Sequence, residues 1–520
     1  MEIEKSHNNG VKTISVVMIL VLFAKVSGLV REMVILGVLG TESAEAAAFT
    51  FAAVIPRQFL DAAFAAAISA GFIPVFNKML ERGSREQSFD LARNFISFVM
   101  VLTMVASVVG VVLAGFAANL YFNAEDYEAA VLGAQLLRIT IFTVFLTSTA
   151  FALTGVLQSL GGFYIPAVMS LVSNGLILAY AALFWRSGGV FGLAAAFLIG
   201  NLAQVLIFIV PLRRRGFRFK WRLSLKDEGL RQILRLTPLV MISSWLFPIN
   251  GLINGAIAAN QNRAYLAELN AANTIFIVLS GMFILSVTNV IFPKMSREAA
   301  RGADNGEFSA TIRQSVGGTT FILLPMAIGI FILRTPIVRL MFERGEFSAE
   351  ATERAAFALG ILAIGIVGYG LVSILSRAFF AEHNGKTPAI ITIVAIGVNV
   401  IAAFLFVGWL GIGGPALAAS ISINIAGFGM YFAMACKCKI FDRSQAVNFL
   451  KMALAGGIML AVIYFVQLYV VDMHDIFEVG IITFIGVLVY ILFATLFRIE
   501  EAEVAKTAIL NRLRRKSANE

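Results

Sequence analysis

Residues 24–40 read AKVSGLVREMVILGVLG, and residues 49–76 read FTFAAVIPRQFLDAAFAAAISAGFIPVF. Both runs are long and apolar enough to cross a bilayer, whose ~30 Å hydrocarbon core takes about 20 helical residues. Each nonetheless carries charge midway: Lys25, Arg31 and Glu32 in the first, Arg57 and Asp61 in the second. A charged side chain at the centre of a bilayer helix costs roughly 2.5–3.5 kcal/mol, so such groups face a partner or a wet cavity rather than lipid. The two stretches predict a cationic, water-filled cavity lined by the first two helices of a membrane protein.

The rest of the chain agrees with that class. Of 520 residues, 59% are hydrophobic and 14% charged, and the mean hydropathy is +0.86, which excludes a soluble globular protein. Apolar windows recur near 13–39, 46–77, 92–120, 129–158, 163–185, 190–212, 232–258, 270–293, 312–334, 354–381, 387–409, 413–436, 446–470 and 476–497. Fourteen transmembrane helices are expected. The first apolar run continues into a full span without a small-residue cleavage site, so no cleavable signal peptide is expected.

Charge in the connections sets the orientation. One set of loops carries Lys78, Arg82 and Arg85, then Arg213, Arg214, Arg215, Arg218 and Lys220, then Lys294, Arg297 and Arg301, and later Lys386, Lys437, Lys439 and Arg443. The other set holds Glu42, Glu45, Glu125, Asp126, Glu128, Asp472 and Asp475, with Arg339 and Arg344 as its main exceptions. By the positive-inside rule both termini are cytoplasmic, which requires an even number of spans. The net charge of +10 therefore belongs to short loops that meet anionic membrane lipids, and no nucleic-acid partner is expected.

The halves repeat. Phe72-Ile73-Pro74 followed by Lys78-Met79 resembles Ile291-Phe292-Pro293-Lys294-Met295. Tyr164-Ile165-Pro166-Ala167 resembles Lys386-Thr387-Pro388-Ala389, and LAAAFLIGN at 193–201 resembles ALAASISIN at 416–424. Six spans separate the copies, so they share an orientation. Parallel repeats of this kind predict two pseudo-symmetric six-helix lobes about a central cavity. The expected division is an N-terminal lobe 1–212, a basic linker 213–231, a C-terminal lobe 232–437, two further spans within 438–500 and a basic tail 501–520.

On a helical wheel Lys25, Gly28 and Glu32 share a face, with Ser27 and Arg31 on the adjacent one. Gly28 permits close helix approach in mid-span. Arg57 and Asp61 stand i,i+4 and can pair along one face, while Pro56 removes a backbone hydrogen bond just before them. A self-neutralising pair is one reading; the other is that Arg57 offers its planar fork to a phosphate and Asp61 orients it. Arg138 either joins the cavity or snorkels to an interface. No Walker loop, H-E-x-x-H motif or nucleophile elbow occurs, so no enzymatic activity is expected. Cys436 and Cys438 form a C-x-C pair without companion ligands, and neither a metal site nor a cofactor is predicted.

KVSGLVRE at 25–32 with Gly40, residues 55–76 ending SAGFIPVF, LMFERGEFSAEATERAA at 340–356 and SRAFFAEHNGKTP at 376–388 together resemble the MurJ/MviN lipid II flippases of the multidrug/oligosaccharidyl-lipid/polysaccharide exporter superfamily. The resemblance implies a bacterial cytoplasmic-membrane protein that moves an undecaprenyl-pyrophosphate-linked disaccharide pentapeptide to the outer leaflet by alternating access, for peptidoglycan assembly. By position, Arg31 and Glu32 match the family's first-helix pair and Lys25 its upstream lysine. The chain also departs from the pattern. The second-helix cation is shifted to Arg57, and Ala47 stands where an Asp is expected. Ala271-Ala272-Asn273-Thr274-Ile275 lacks the eighth-helix arginine, and Ile253-Asn254-Gly255 lacks an acid.

The expected substrate-binding set is Arg31, Arg57, Glu32, Asp61, Lys25, Ser27 and Gly28, with the two arginines on the pyrophosphate. A flippase for another polysaccharide precursor, or a cation-coupled drug exporter of the same superfamily, is the alternative; a drug exporter is expected to favour acids over arginines. A membrane-embedded glycosyltransferase or an assembly scaffold is a further alternative, but no carboxylate cluster supports a transferase. Coupling to Na⁺, protons or the membrane potential is open, with Asn254, Asn399 and Asn424 as neutral oxygen donors. A monomer is expected.

Overall fold

The computed structural model describes residues 2–63, 68–300, 306–438, 440, 442–470, 473–504 and 506–507. Every regular element among them is helical. In order they are α1 (Glu2–Leu39), α2 (Ala44–Ala63), a π-helical turn (Ile68–Phe72), α3 (Ile73–Arg82), α4 (Arg85–Tyr121), a 3₁₀ turn (Ala124–Asp126), α5 (Tyr127–Thr140), α6 (Phe142–Ser159), α7 (Tyr164–Leu183), α8 (Trp185–Leu206), α9 (Ile209–Arg214) and α10 (Glu228–Ser244). There follow α11 (Leu246–Gln261), α12 (Arg263–Ala300), α13 (Glu307–Ile332), α14 (Arg334–Phe342), α15 (Ala349–Ala363), α16 (Ile366–Ala381), α17 (Lys386–Leu410), α18 (Gly413–Cys438), α19 (Arg443–Val470) and α20 (Asp475–Leu496).

Among the described residues ten helical stretches are long and apolar enough to cross a membrane. The number rises to twelve when α10 with α11, and α15 with α16, are each taken as one span bent by 49°. The two remaining expected spans are those that carry intramembrane charge. The first, expected near 13–39, is the longer α1. Of the second, expected over 46–77, the described parts are α2, which contains Pro56, the π turn, and α3, which follows it directly and has Pro74 in its first turn, where a missing N–H costs nothing; residues 64–67 lie outside the described residues.

The chain divides into two compact units, residues 1–271 with 344–348, and residues 272–343 with 349–520. In the first unit the alanines of α2 (Ala46, Ala47, Ala48, Ala52) and of α5 (Ala129, Ala130, Ala134) are buried, and these two helices pack together. Small side chains let backbones approach where lipid supplies no hydrophobic drive between helices. Thr140 on α5 donates a 2.6 Å hydrogen bond to the Ala52 carbonyl on α2. Larger side chains fill the remaining space: Phe51 meets Tyr121 edge-on at 4.9 Å, and Phe72 stacks between Phe76 and Phe95.

The last five residues of the conspicuous FERGEFS run also belong to this unit. Its residues 344–348 dock on the C-terminal end of α1, where the Glu346 N–H donates to the Gly37 carbonyl at 2.8 Å. Gly345 has φ +59°, and a Cβ there would run into the Gly37 carbonyl oxygen. Glycine at 345 is thus required twice over, by conformation and by space.

In the second unit α16 and α18 touch backbone to backbone. A Cβ on Gly427 would lie 2.6 Å from the Gly368 carbonyl oxygen. Asp442 caps α19 by accepting from the Gln445 N–H at 2.7 Å, and pairs with Arg313 of α13 at 2.5 Å.

Candidate functional site: a cationic cavity in the first unit

A cavity of about 310 Å³ opens among α1, α2, α6, α7, α8 and the start of α12, at the small end of ligand-pocket sizes. From α1 it takes Ala24, Lys25, Gly28, Arg31, Glu32 and Ile35, a stripe at helical spacing. From α2 it takes Phe49, Thr50, Ala53, Val54 and Arg57 by the same periodicity. Among the described lining residues three cations, Lys25, Arg31 and Arg57, accompany one carboxylate, Glu32.

The charged groups are joined by amides. The Arg57 Nη2 donates to the Asn270 Oδ1 at 2.8 Å, and the Asn270 Nδ2 donates to the Glu32 Oε1. Glu32 accepts from the Arg31 Nη2 at 3.4 Å, and the Arg31 Nη1 donates to the Asn174 Oδ1 at 3.0 Å. The Asn174 Nδ2 then donates to the Ser27 hydroxyl at 2.8 Å, and Ser27 donates to the Ala24 carbonyl. One polar chain therefore runs Arg57, Asn270, Glu32, Arg31, Asn174, Ser27 and links four helices. The Arg31 guanidinium also lies over the Phe197 ring, 5.3 Å from its centroid.

Two buried polar atoms of the lining lack a hydrogen-bond partner among the described residues: the Arg31 Nε and the Gln204 Oε1. A buried N–H left unmade costs about 1–3 kcal/mol. A bound anion that reached the Nε edge of Arg31 would recover that cost, since guanidinium and phosphate match in a bidentate way.

Of the expected site residues, Lys25, Gly28, Arg31, Glu32 and Arg57 all line the cavity, and Ser27 stands behind it through Asn174. The side chain of Asp61 lies outside the described residues, so the Arg57–Asp61 pair is not described. The described partner of Arg57 is Asn270. Arg138 is exposed on α5 and does not line the cavity. Sequence reasoning missed Asn174, Gln204 and Asn270, uncharged amides within apolar helices. Asn201 lines the cavity and accepts from Thr147 at 2.7 Å, whereas its repeat counterpart Asn424 donates to the Ile364 carbonyl at 3.0 Å. No group of three or more His, Cys, Asp or Glu side chains that could hold a metal ion occurs among the described residues.

The family model described as lipid II flippase MurJ matches residues 36–501. The chain belongs to that family. A probable lipid II flippase MurJ of Thermotoga maritima is 27% identical over 484 residues, covering 92% of this chain and 95% of the relative. The solved structure of a lipid II flippase MurJ in an inward closed conformation superposes with a TM-score of 0.76 at 24% identity, over 93% of this chain and 98% of that one. An inward-facing multidrug resistance MATE transporter of the MOP superfamily gives a TM-score of 0.63 at 17% identity, over 81% and 98%. At these identities the two solved structures speak for the fold. Arg31 and Glu32 stand just before the matched residues, Arg57 and Asn270 within them. Asn270, just before the Ala271–Ile275 run, reaches the cavity with a neutral side chain.

Proposed function

We propose that this chain carries lipid II, the undecaprenyl-pyrophosphate-linked disaccharide pentapeptide, from the inner to the outer leaflet of the bacterial cytoplasmic membrane by alternating access. The observation that carries this reading is the polar chain joining Arg31 and Arg57 in a cavity whose described lining holds three cations and one carboxylate, in a member of the MurJ family. Arg31 and Arg57 hold the pyrophosphate, and Lys25 adds charge at the same face. Glu32 and Asn270 keep the two guanidinium groups in register until the anion arrives. Seating the substrate exchanges the Glu32 contact of Arg31 for phosphate oxygens, while the prenyl tail stays in lipid.

The excess of positive charge favours an anionic substrate over the cationic drugs that a multidrug exporter would carry. The accompanying topology is fourteen spans with both termini cytoplasmic, lobes at 1–212 and 232–437, and a monomeric chain. No catalytic step is required. Na⁺, a proton or the membrane potential supplies the energy. The test is reconstitution into vesicles with a labelled lipid II and, separately, with an undecaprenyl-pyrophosphate sugar lacking the peptide. Movement of lipid II by the wild type and not by Arg31→Ala supports the reading. Equal movement by both, or transport of the other precursor alone, contradicts it.

A further inference from the structure

Between α9 and α10 the chain alternates strictly. Residues 219, 221, 223 and 225 are Phe, Trp, Leu and Leu, and residues 218, 220, 222 and 226 are Arg, Lys, Arg and Lys, with Ser224 as the one neutral even position. The four apolar side chains are 44–60% exposed, an unusual cost for a segment outside the apolar spans. The Phe219 and Trp221 rings meet edge-on at 6.5 Å, as two side chains on one face of the run do.

The segment is held at a defined height on α4. The Arg93 Nε donates to the Arg218 carbonyl at 3.0 Å, the Arg222 N–H to the Ser97 hydroxyl at 3.2 Å, and the Ser224 N–H to the Asn94 Oδ1 at 2.7 Å. Asn94 returns a bond to the Ser224 carbonyl at 2.9 Å, and Arg222 pairs with Asp90. Arg93 to Ser97 is a rise of about 6 Å along a helix. A non-helical run from residue 218 to 224 reaches up to roughly 20 Å. The segment therefore crosses α4 rather than following it.

It crosses where α4 changes character. Up to Ser97 the helix carries Arg85, Glu86, Asp90 and Arg93, and from Phe98 to Tyr121 it carries no charge. That change marks the edge of the hydrocarbon core, where aromatic side chains gather and basic ones meet lipid phosphates.

We propose that residues 219–226 form a membrane-surface foot. Phe219, Trp221, Leu223 and Leu225 enter the boundary between headgroups and acyl chains on the α4 N-terminal side, and Lys220 and Lys226 bind the headgroups of anionic phospholipid. The foot braces α4 through Arg93, Asn94 and Ser97. This surface is separate from the cavity, and its test does not depend on the transported substrate.

The test uses the full-length protein in vesicles of phosphatidylethanolamine and phosphatidylglycerol, with bromine on the acyl chains near the headgroup. The emission difference between the wild type and Trp221→Phe isolates Trp221 with a single exposed substitution. The expected result is a blue-shifted Trp221 signal, lost in brominated lipid and unaffected by aqueous iodide. Replacing phosphatidylglycerol by phosphatidylcholine should lower the quenching in the wild type, and should change little in a Lys220→Gln/Lys226→Gln variant. A Trp221 signal quenched by iodide and indifferent to bromine overturns the proposal. So does a blue-shifted signal that responds to neither quencher, which would mean that protein covers the face. Quenching independent of phosphatidylglycerol overturns the anionic-lipid part.

Discussion

Asn270 donates to a carboxylate with one end of its amide and accepts from a guanidinium with the other, so a single neutral side chain couples Glu32 to Arg57. Hydrogen bonds to charged groups contribute roughly 1.5–3 kcal/mol. Asn270→Ala should therefore slow transport by about ten-fold or more, read as flipping in vesicles at matched protein abundance. A wild-type rate would mean that the two arginines act independently. Asn270→Asp places a carboxylate beside Glu32 and takes away the amide that donates to it, and should be at least as damaging. At Arg31, lysine keeps charge but loses the fork, so Arg31→Lys should recover only part of the activity that Arg31→Ala removes. The charged half of this site was legible because Lys25, Arg31, Glu32 and Arg57 are costly in apolar spans. The amide half was not, since an asparagine inside a helix pattern looks the same whether it bonds a neighbouring backbone, as Asn424 does, or a cavity-lining arginine, as Asn174 does.

At the scale of elements, the docking of 344–348 on α1 rests on two backbones in contact. Gly345→Ala forces a side chain into the left-handed region, which costs about 1–2 kcal/mol, and into the Gly37 carbonyl as well. The variant should show a lowered Tm in detergent, and an unchanged Tm would argue against this contact. A gentler test concerns the α19 cap. The Gln445 backbone N–H, and then the Arg313 guanidinium, hold the Asp442 carboxyl below the usual carboxylate range even against desolvation. A folded-state value below the unfolded one stabilises at pH above about 3.9 and is lost as the pH falls through the depressed value. The Tm gap between the wild type and Asp442→Ala should accordingly be larger at pH 7 than at pH 3. A gap that widens in acid would contradict the assignment. Helix ends were harder to read than helices. The π turn at Ile68–Phe72 is built from Ile, Ser, Ala, Gly and Phe with no proline, so composition alone did not show it.

For the whole molecule, hydropathy gave the class and most span positions, because about twenty apolar residues have few folded alternatives to crossing a bilayer. Fourteen spans with cytoplasmic termini predict that a cysteine placed at Lys226 is labelled only from the cytoplasmic side, and labelling from outside intact cells would reject that topology. The most direct measurement is the flipping of labelled lipid II by purified protein in vesicles, with the wild type beside Arg31→Ala/Arg57→Ala. Loss of flipping in a double variant that still inserts and keeps its Tm is the predicted result. Flipping at the wild-type rate would contradict the cationic cavity as the seat of transport, and would leave the polar chain from Arg57 to Ser27 as helix packing alone.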